Sequence, residues 1–513
     1  MIQIESPLKV IEDVDFGQLA AENDIGPAAS HPLVARGLEK YFVESDDYKR
    51  VRAGANTIVL GNRGSGKSAI FQILARAERS EGNHVIELSP DDYSYEILHK
   101  TMAPESVGSW AKHGAYAAAW KYVIYVLVMK ELTKRGERLR RGAASKIYRY
   151  IQENHPSGDV GTISTLVSYL KSIESIKLGP FEMSRVARQK ARDLDSLYNL
   201  EEISGLLPAL QVLLAKEHVF VFIDELDRGW DSSEDAKAFV AGLFQACIQI
   251  NRLHENLRVY ISLRQELYAD IPVLADDTQK YRDVMDTIRW SEESLLTLIA
   301  KRIRYSAQQK SYRQKSDDLT CWSWVFDDKS GQSSFRYMID RTLYRPREII
   351  HFCTRVVQVA KASHGSAIKL PLSFRAIESA EQVYSSERAE DIAGEYSHQY
   401  PGLLSIFEIF RGRSKSFERE ALQMLCLELA TGGIPTDEKT STWLPDRDPD
   451  DLIGILWHVG FLVAQPVGDA SPTKDARSFL GVYQAPYLNL AAAQYFRVHP
   501  MFWAYLGLET KIS

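Results

Sequence analysis

The most constraining feature of this sequence is a glycine-rich segment that follows a short apolar run. The run is Asn56–Leu60 (NTIVL), and the segment is Gly61–Ser68 (GNRGSGKS). Branched apolar residues in the run predict a buried strand, and the following Ala69–Arg79 is rich in helix formers. A tight turn between a buried strand and a helix predicts an α/β unit at this point of the chain.

The spacing in this segment matches G-x-x-x-x-G-K-[ST], a pattern typical of loops that wrap phosphate groups. Glycines let backbone N–H groups face the phosphates, and a helix that begins near Lys67 adds partial positive charge. We expect Lys67 to neutralise the β- and γ-phosphates and Ser68 to offer its hydroxyl to Mg²⁺. The predicted nucleotide-binding residues are Gly61, Asn62, Arg63, Gly64, Ser65, Gly66, Lys67, Ser68 and Ala69. The alternative is a glycine-rich turn without a ligand.

Two adjacent acids follow another buried run. Val219–Ile223 (VFVFI) predicts a strand, and Asp224 and Glu225 come directly after it. Because ligands of open α/β sheets bind at the carboxyl ends of the strands, we expect Asp224 to hold Mg²⁺ through water. Glu225 is expected to orient or deprotonate the attacking water. The alternative is a strand end capped by two solvated acids.

Short apolar strands alternate with helices up to about residue 290. Strands are also predicted at His84–Leu88 and within Arg258–Leu263, a helix over about 233–251, and mostly helix over about 90–200. This alternation predicts a parallel α/β sheet with a helical insertion. We expect four parts: an N-terminal arm and helix (1–52, with one helix over 33–52), the sheet-containing core (53–290), a helical lid (291–400) and a C-terminal winged-helix-like α+β domain (401–513).

The two motifs together resemble the Walker A and Walker B elements of P-loop ATPases, of the additional-strand class with a catalytic glutamate. The resemblance implies ATP and Mg²⁺ as cofactors. It also implies that Arg258–Arg264 (RVYISLR) is the sensor-1 strand, with Arg264 as the sensor and Ser262 as the alternative. Arg264 could instead simply begin a surface loop.

A second arginine motif lies in the predicted lid. Tyr344–Ile350 (YRPREII) resembles the sensor-2 helix entry of AAA+ and STAND proteins, in which Pro346 takes the first helical position. An arginine in the first turn opposes the helix dipole, so Arg347 is expected to contact an anion, the γ-phosphate. The alternative is an ion pair, for example with Glu348.

Over about residues 50–360 the chain is similar to bacterial STAND and origin-recognition-like ATPases of phage-defence operons. About 150 residues separate the two Walker motifs, which argues against a simple ring unfoldase. The resemblance implies a switch whose nucleotide state controls a homo-oligomer or a separately encoded protein effector. Arg228 is either a finger toward a neighbouring subunit or part of a local turn with Gly229.

One basic segment raises a second hypothesis, a DNA-loading ATPase of the origin-recognition kind. Residues 130–149 carry eight Lys or Arg against two Glu. Such a segment can meet a phosphate backbone, although a solvated helical face is favoured because aromatic residues are few. A nucleic-acid partner is therefore not favoured.

The C-terminal region predicts a winged-helix-like pattern. Helices are expected over about 416–430 and 451–459, and strands near 461–465 and 479–484. The candidate recognition segment, Pro449–His458, is acidic and apolar, so we expect it to pack on protein rather than on DNA. The aromatic segment around Met501–Leu506 is expected to be core or, if exposed, a contact surface.

Composition narrows the class of protein. The chain has 513 residues, of which 45% are hydrophobic and 25% charged, which are globular values. The net charge of −6 excludes a uniformly basic nucleic-acid coat protein. Four scattered cysteines predict no zinc site, and their rarity, with no signal-like start and no spanning segment, predicts a cytoplasmic protein without a membrane partner. A scaffold with a dead nucleotide pocket is a third, disfavoured hypothesis, since Lys67 and Glu225 are both present.

Overall fold

The structure is a computed structural model that divides into two compact units. It describes residues 6–17, 38–89, 109–134, 142–155, 200–227, 230, 232–272, 274, 281–312, 314–365, 368–445, 447–466 and 479–512. The first unit, Glu44–Arg289, is called the P-loop unit below. The second, called the C-terminal unit, joins Met1–Val43 to Trp290–Ser513. The four-part division of the chain stays a prediction.

A five-stranded parallel sheet forms the centre of the P-loop unit, in the order β2-β3-β4-β1-β5. Its strands are β1 Ile58–Gly61, β2 His84–Leu88, β3 Val219–Ile223, β4 Leu257–Arg264 and β5 Met285–Thr287. Because β4 lies between β1 and β3, one additional strand separates the glycine-rich segment from the acid pair. The fold is therefore the predicted α/β P-loop fold. Strand β5 was not predicted, because its three residues are all half-buried and form no apolar run.

Helices pack around this sheet. In chain order, after α1 Leu38–Tyr41 of the C-terminal unit, the described helices are α2 Asp46–Arg52, α3 Lys67–Ser80, α4 Ser109–Thr133, α5 Ala143–Asn154, α6 Leu200–Leu214, α7 Glu234–Asn251 and α8 Gln265–Ala269. Helices α4 and α7 touch at the backbone, since a Cβ on Gly242 would lie 2.7 Å from the Tyr116 Cβ. Helix α4, which contains the most apolar helix-length run of the sequence (115–129), is thus a core helix. No described helix is long and apolar enough to cross a membrane.

The prediction of one helix over residues 33–52 is wrong in its described part. Helix α1 ends at Tyr41, and α2 begins at Asp46. The Ser45 hydroxyl accepts a hydrogen bond from the Tyr48 N–H and caps α2, so a new helix begins there. The apolar pattern continues across this break and therefore does not reveal it. Residues 33–37 lie outside the described residues.

The C-terminal unit begins with a helical layer. Its next helices are α9 Glu292–Gln309, α10 Asp318–Ser323, α11 Ser334–Ile339, α12 Pro346–His364 and α13 Phe374–Glu395. The N-terminal residues pack into this layer, because Leu8, Ile11, Val14 and Phe16 are buried in the same core as α9 and α12.

A four-stranded mixed sheet completes the C-terminal unit, in the order β7-β8-β6-β9. Its elements are α14 Leu403–Glu408, β6 Ser414–Glu418, α15 Arg419–Ala430, α16 Pro449–His458, β7 Leu462–Ala464, β8 Tyr495–Val498, α17 Trp503–Leu506 and β9 Glu509–Ile512. Five residues of α16 are buried in this core: Leu452, Ile453, Ile455, Leu456 and Trp457.

Two sequence predictions fail in this sheet. Residues 416–418 end a strand instead of beginning a helix, since their backbone pairs with β8. The predicted strand at 479–484 is reduced to a single bridge between Leu480 and Ala464. The Gly481 N–H bonds the Gln484 side chain, and the Gln484 N–H bonds the Gly481 carbonyl, so the chain turns there. The strand that joins β7 to β6 in the sheet is instead β8, Tyr495–Val498.

Candidate functional site

The glycine-rich segment forms a loop between β1 and α3. Gly64 and Gly66 have positive φ values of 78° and 100°, which L side chains rarely adopt. A Cβ added to Gly61 would lie 2.5 Å from the Ser65 Oγ, so the loop also needs glycine at its start. Gly66 is the N-cap of α3, and no described side chain caps that helix. The first-turn N–H groups therefore have no side-chain acceptor, as an anion-binding helix terminus requires.

Lys67 bends back over this loop. Its Nζ donates to the carbonyl oxygens of Gly61 at 2.7 Å and Asn62 at 3.1 Å. Burial lowers the pKa of the Lys67 ammonium, while the nearby carboxylates of Asp224, Glu266 and Asp227 act to raise it. Neutral carbonyls thus hold the ammonium in place and leave its charge for a ligand.

The other predicted loop residues differ in how far they are exposed. Ser65 is buried, whereas Arg63 is exposed, and the remaining ones are half-buried: Asn62, Gly64, Gly66, Ser68 and Ala69. The Ser68 hydroxyl makes no hydrogen bond with any described residue.

The acid pair lies at the carboxyl end of β3. Asp224 Oδ1 accepts hydrogen bonds from the Ser262 hydroxyl of β4 and, at 2.8 Å, from the Glu225 N–H. Asp224 Oδ2 accepts none from the described residues, so one oxygen is fixed and the other is available. Glu225 has φ 60°, a left-handed conformation that costs a non-glycine residue about 1–2 kcal/mol. Such strain is concentrated at functional sites.

Three more charged side chains complete this cluster. Arg264, at the end of β4, forms an ion pair with Asp227, and Asp227, Arg264 and Glu266 all lie close enough to influence the charge of Lys67. The set is called the phosphate-loop cluster below: Lys67, Asp224, Asp227, Arg264 and Glu266. The structure therefore brings Lys67, Asp224 and Arg264 together. Their roles in binding and catalysis stay predictions.

Sequence reasoning missed Glu266. It lies in the first turn of α8, two residues after β4 ends. The signal that could have found it is its position, because residues just past the carboxyl end of a central parallel strand face the ligand edge of the sheet. Ser262, which the sequence offered only as an alternative sensor, contacts Asp224 directly.

The residues that would hold Mg²⁺ fit that ion. Mg²⁺ prefers oxygen ligands and usually keeps several waters. The Ser68 hydroxyl and Asp224 Oδ2 are two oxygens without partners among the described residues. Both groups offer oxygen ligands, and neither oxygen is occupied by another described residue, so they suit a magnesium ion that binds together with the phosphates of a nucleotide.

Arg347 lies in the C-terminal unit, in the first turn of α12, and is half-buried. The charged residues nearest to it in sequence, Arg345 and Glu348, form ion pairs with other residues. Arg345 bonds Glu395 at 2.9 Å, and Glu348 accepts from Arg388 at 2.8 Å. This helix-pair cluster, at most 6% exposed, consists of Arg345, Glu348, Arg388 and Glu395. Contact between Arg347 and a γ-phosphate stays a prediction.

The remaining predicted features fall partly outside the described residues. Arg228 and Gly229 lie outside them, as do four basic residues of the 130–149 segment (Arg135, Arg138, Arg140 and Arg141). Lys134 pairs with Glu131 at 2.5 Å, and helix α5 exposes Lys146, Tyr148 and Arg149. In the C-terminal aromatic segment, Met501, Phe502 and Leu506 are core residues.

Known proteins resemble this chain at a distance. A family model described as the FunZ-associated C-terminal helical domain matches residues 293–393, which span α9 to α13. A transposon gamma-delta 80.3 kDa protein of Escherichia coli K12 is 23% identical over 518 residues, covering 96% of this chain and 67% of that protein.

Two solved structures of the Aeropyrum pernix ORC2 protein also match. The ADPNP-ADP complexes give a TM-score of 0.35 at 13% identity, covering 94% of each chain. The ADP form gives 0.30 at 13% identity, covering 93% of each. Similarity this low supports no inference about function, so the fold assignment rests on the strand order and the phosphate loop of this chain.

Proposed function

We propose that this chain binds and hydrolyses ATP and acts as a molecular switch. The observation that carries the proposal is the phosphate-loop cluster. A lysine held by loop carbonyls lies beside a helix N-terminus without a side-chain cap and a carboxylate with one free oxygen. These three features together suit a triphosphate with its metal ion.

The proposed chemistry is in-line attack of water on the γ-phosphorus of ATP. The loop N–H groups and Lys67 hold the phosphates, and Glu225 orients the water and takes its proton. The bond between the γ-phosphorus and the bridging oxygen breaks, which leaves ADP and phosphate. Ser68 and Asp224 would hold Mg²⁺, which supplies charge neutralisation at the phosphate oxygens.

The switch would act through the two arginines. We propose that Arg264 exchanges its Asp227 partner for the γ-phosphate of ATP and that Arg347 also contacts this phosphate. Both contacts would end on hydrolysis, so the nucleotide state would control an oligomer or a separate protein effector. A role of this switch in anti-phage defence is proposed from the resemblance to STAND ATPases. That role predicts that Lys67→Ala in the native operon removes protection against phage.

Oligomer control can be measured directly. Glu225→Gln should retain ATP, so the mass of its particles in solution should rise when ATP and Mg²⁺ are added and stay low with ADP. Lys67→Ala should show no such rise. An unchanged mass for Glu225→Gln with saturating ATP would remove oligomer control and leave effector control only.

A DNA-loading ATPase is the second candidate, and one observation favours it. Helix α5 exposes Lys146 and Arg149, which are one turn apart, and also exposes Tyr148, so it offers basic and aromatic groups that nucleic acids can engage. Phosphate contacts of this kind weaken steeply as the salt concentration rises.

The two candidates are distinguished by the rate of ATP hydrolysis, measured with and without duplex DNA at low and at moderate salt. Glu225→Gln serves as the blank. The switch predicts turnover that is indifferent to DNA. Stimulation that fades with salt, and that a Lys146→Ala/Arg149→Ala chain loses, would favour DNA loading. Turnover by the wild type no greater than by the blank would contradict both.

A further inference from the structure

A cavity lies within the C-terminal unit, between the segment that joins α11 to α12 and the four-stranded sheet. Its volume is about 140 Å³, and its walls include Arg336, Asp340, Tyr344, Phe479, Tyr483 and Arg497. It shares no residue with the phosphate-loop cluster. A space of this size holds a ligand of several non-hydrogen atoms or a group of ordered waters.

Arg497 brings a positive charge to this cavity without a matching carboxylate. Its Nε donates to the Ser416 hydroxyl at 2.9 Å, and its guanidinium lies 4.0 Å from the centre of the Phe479 ring. Among the described residues no carboxylate pairs with it. Burial lowers the pKa of Arg497, which still stays charged at neutral pH. The guanidinium is therefore fixed in orientation and half-buried with no anion opposite.

The other arginine of the cavity is in a different situation. Arg336 forms ion pairs with Glu292 and, at 3.1 Å, with Asp340. Its charge is compensated, so it stabilises the cavity wall. Of these two arginines, only Arg497 lacks an anionic partner among the described residues, and its contacts with Ser416 and Phe479 leave its charge uncompensated.

A buried histidine makes the Tyr483 hydroxyl a donor. His499 Nδ1 accepts a hydrogen bond from the Met501 N–H at 3.1 Å, so the ring hydrogen is on Nε2 and is donated to the Tyr483 Oη at 2.9 Å. Burial lowers the pKa of His499 to about 3, so the ring stays neutral in this tautomer. Tyr483 makes no other side-chain hydrogen bond with described residues, and its own hydrogen is left for another acceptor.

We propose that this cavity binds a small ligand that carries a carboxylate or phosphate group. Arg497 would form the ion pair with that group, and the Tyr483 hydroxyl would donate a hydrogen bond to the ligand. Tyr344, whose ring stacks on Tyr483 with centroids 5.3 Å apart, lies three residues before Arg347. An occupant of this cavity would thus contact the segment that carries the predicted lid arginine.

Calorimetric titration of the full chain tests the proposal. The chain is saturated with ADP and Mg²⁺ so that the phosphate loop is filled, and it is titrated with benzoate, inorganic phosphate and the neutral benzamide at constant ionic strength. Saturable binding of benzoate alone identifies a carboxylate ligand, binding of phosphate alone identifies a phosphate ligand, and benzamide should not bind. The proposal is overturned if neither anion binds.

Matched variants locate the binding. Arg497→Gln keeps a donor for Ser416 but loses the charge, and it should weaken binding roughly 10-fold or more. Arg375→Gln, an exposed arginine of the same unit, should leave the affinity unchanged. If Arg497→Gln does not fold, Tyr483→Phe decides, since it keeps the stacking on Tyr344 and should weaken binding about 3- to 10-fold. Wild-type affinity in either folded variant overturns the proposal.

Discussion

The phosphate-loop cluster and the helix-pair cluster both contain cations and carboxylates, and each has an ion pair, such as Arg264 with Asp227 in the phosphate-loop cluster. They differ in what holds Lys67 and Asp224. In the helix-pair cluster every cation meets a buried carboxylate, as in Arg345 with Glu395 and Arg388 with Glu348. In the phosphate-loop cluster Lys67 is held by neutral carbonyls, and Asp224 is held by a hydroxyl and an N–H. A charge with a charged partner stabilises the fold, whereas one held by neutral groups remains available to a ligand.

Breaking the helix-pair cluster should give the largest effect. Among the described residues, Glu348→Ala leaves Arg388, which is 6% exposed, with only the solvent-exposed Asp391, and should lower the free energy of unfolding by about 3–5 kcal/mol. Urea unfolding of the full chain measures this change. Glu378→Ala is the control, since its pair with Lys329 is exposed and should contribute about 0–1 kcal/mol. Equal losses in the two variants would contradict the distinction between the clusters.

Removing the lysine of the phosphate-loop cluster should instead affect binding. Lys67→Ala deletes the ammonium that faces the phosphates, so ATP affinity should fall roughly 10- to 100-fold, while unfolding without nucleotide changes less than in Glu348→Ala. Titration with fluorescent ATP measures the affinity. Lys49→Ala, an exposed lysine of the same unit, is the control. An unchanged affinity would show that the loop binds no nucleotide.

The smallest expected effect is that of Ser262, which positions Asp224. Ser262→Ala removes one neutral hydrogen bond to a carboxylate and should lower the turnover number about 3- to 10-fold. Nucleotide affinity should change little, because Ser262 is not expected to touch the phosphates. Ser262→Thr keeps the hydroxyl and should restore turnover. Loss of affinity without loss of turnover would assign Ser262 a different role.

Much of the P-loop unit could be predicted from the sequence because its central strands are buried on both faces. Val219–Ile223 is an unbroken apolar run, and the structure has a strand with the same bounds. The loop glycines and the acid pair each directly follow a strand that can be predicted from sequence. Their position at the carboxyl edge of the sheet therefore follows from those strands. The pairings of Ser262 with Asp224 and of Arg264 with Asp227 depend on β4 lying beside β3, which no local pattern records.

The C-terminal sheet was predicted less well for the opposite reason. Strand β6 reads Ser414–Glu418 (SKSFE) and is held in the sheet by partners about 80 and 95 residues away in the chain. Without an apolar run, only that long-range pairing makes it a strand. For the same reason the cavity around Arg497 could not be predicted, since its walls come from α11, the segment between α11 and α12, β7, the turn at 479–484, and β8 with the residues that follow it.

Phosphate release from ATP, compared between matched preparations of the wild type and Glu225→Gln, decides whether this chain hydrolyses ATP with Glu225 as the base. We expect slow, Mg²⁺-dependent release by the wild type and release at least about 100-fold slower by Glu225→Gln, with ATP bound equally well by both. Equal rates in the two preparations would contradict the assignment of Glu225 as the base. Absence of ATP binding in both would contradict the phosphate loop itself.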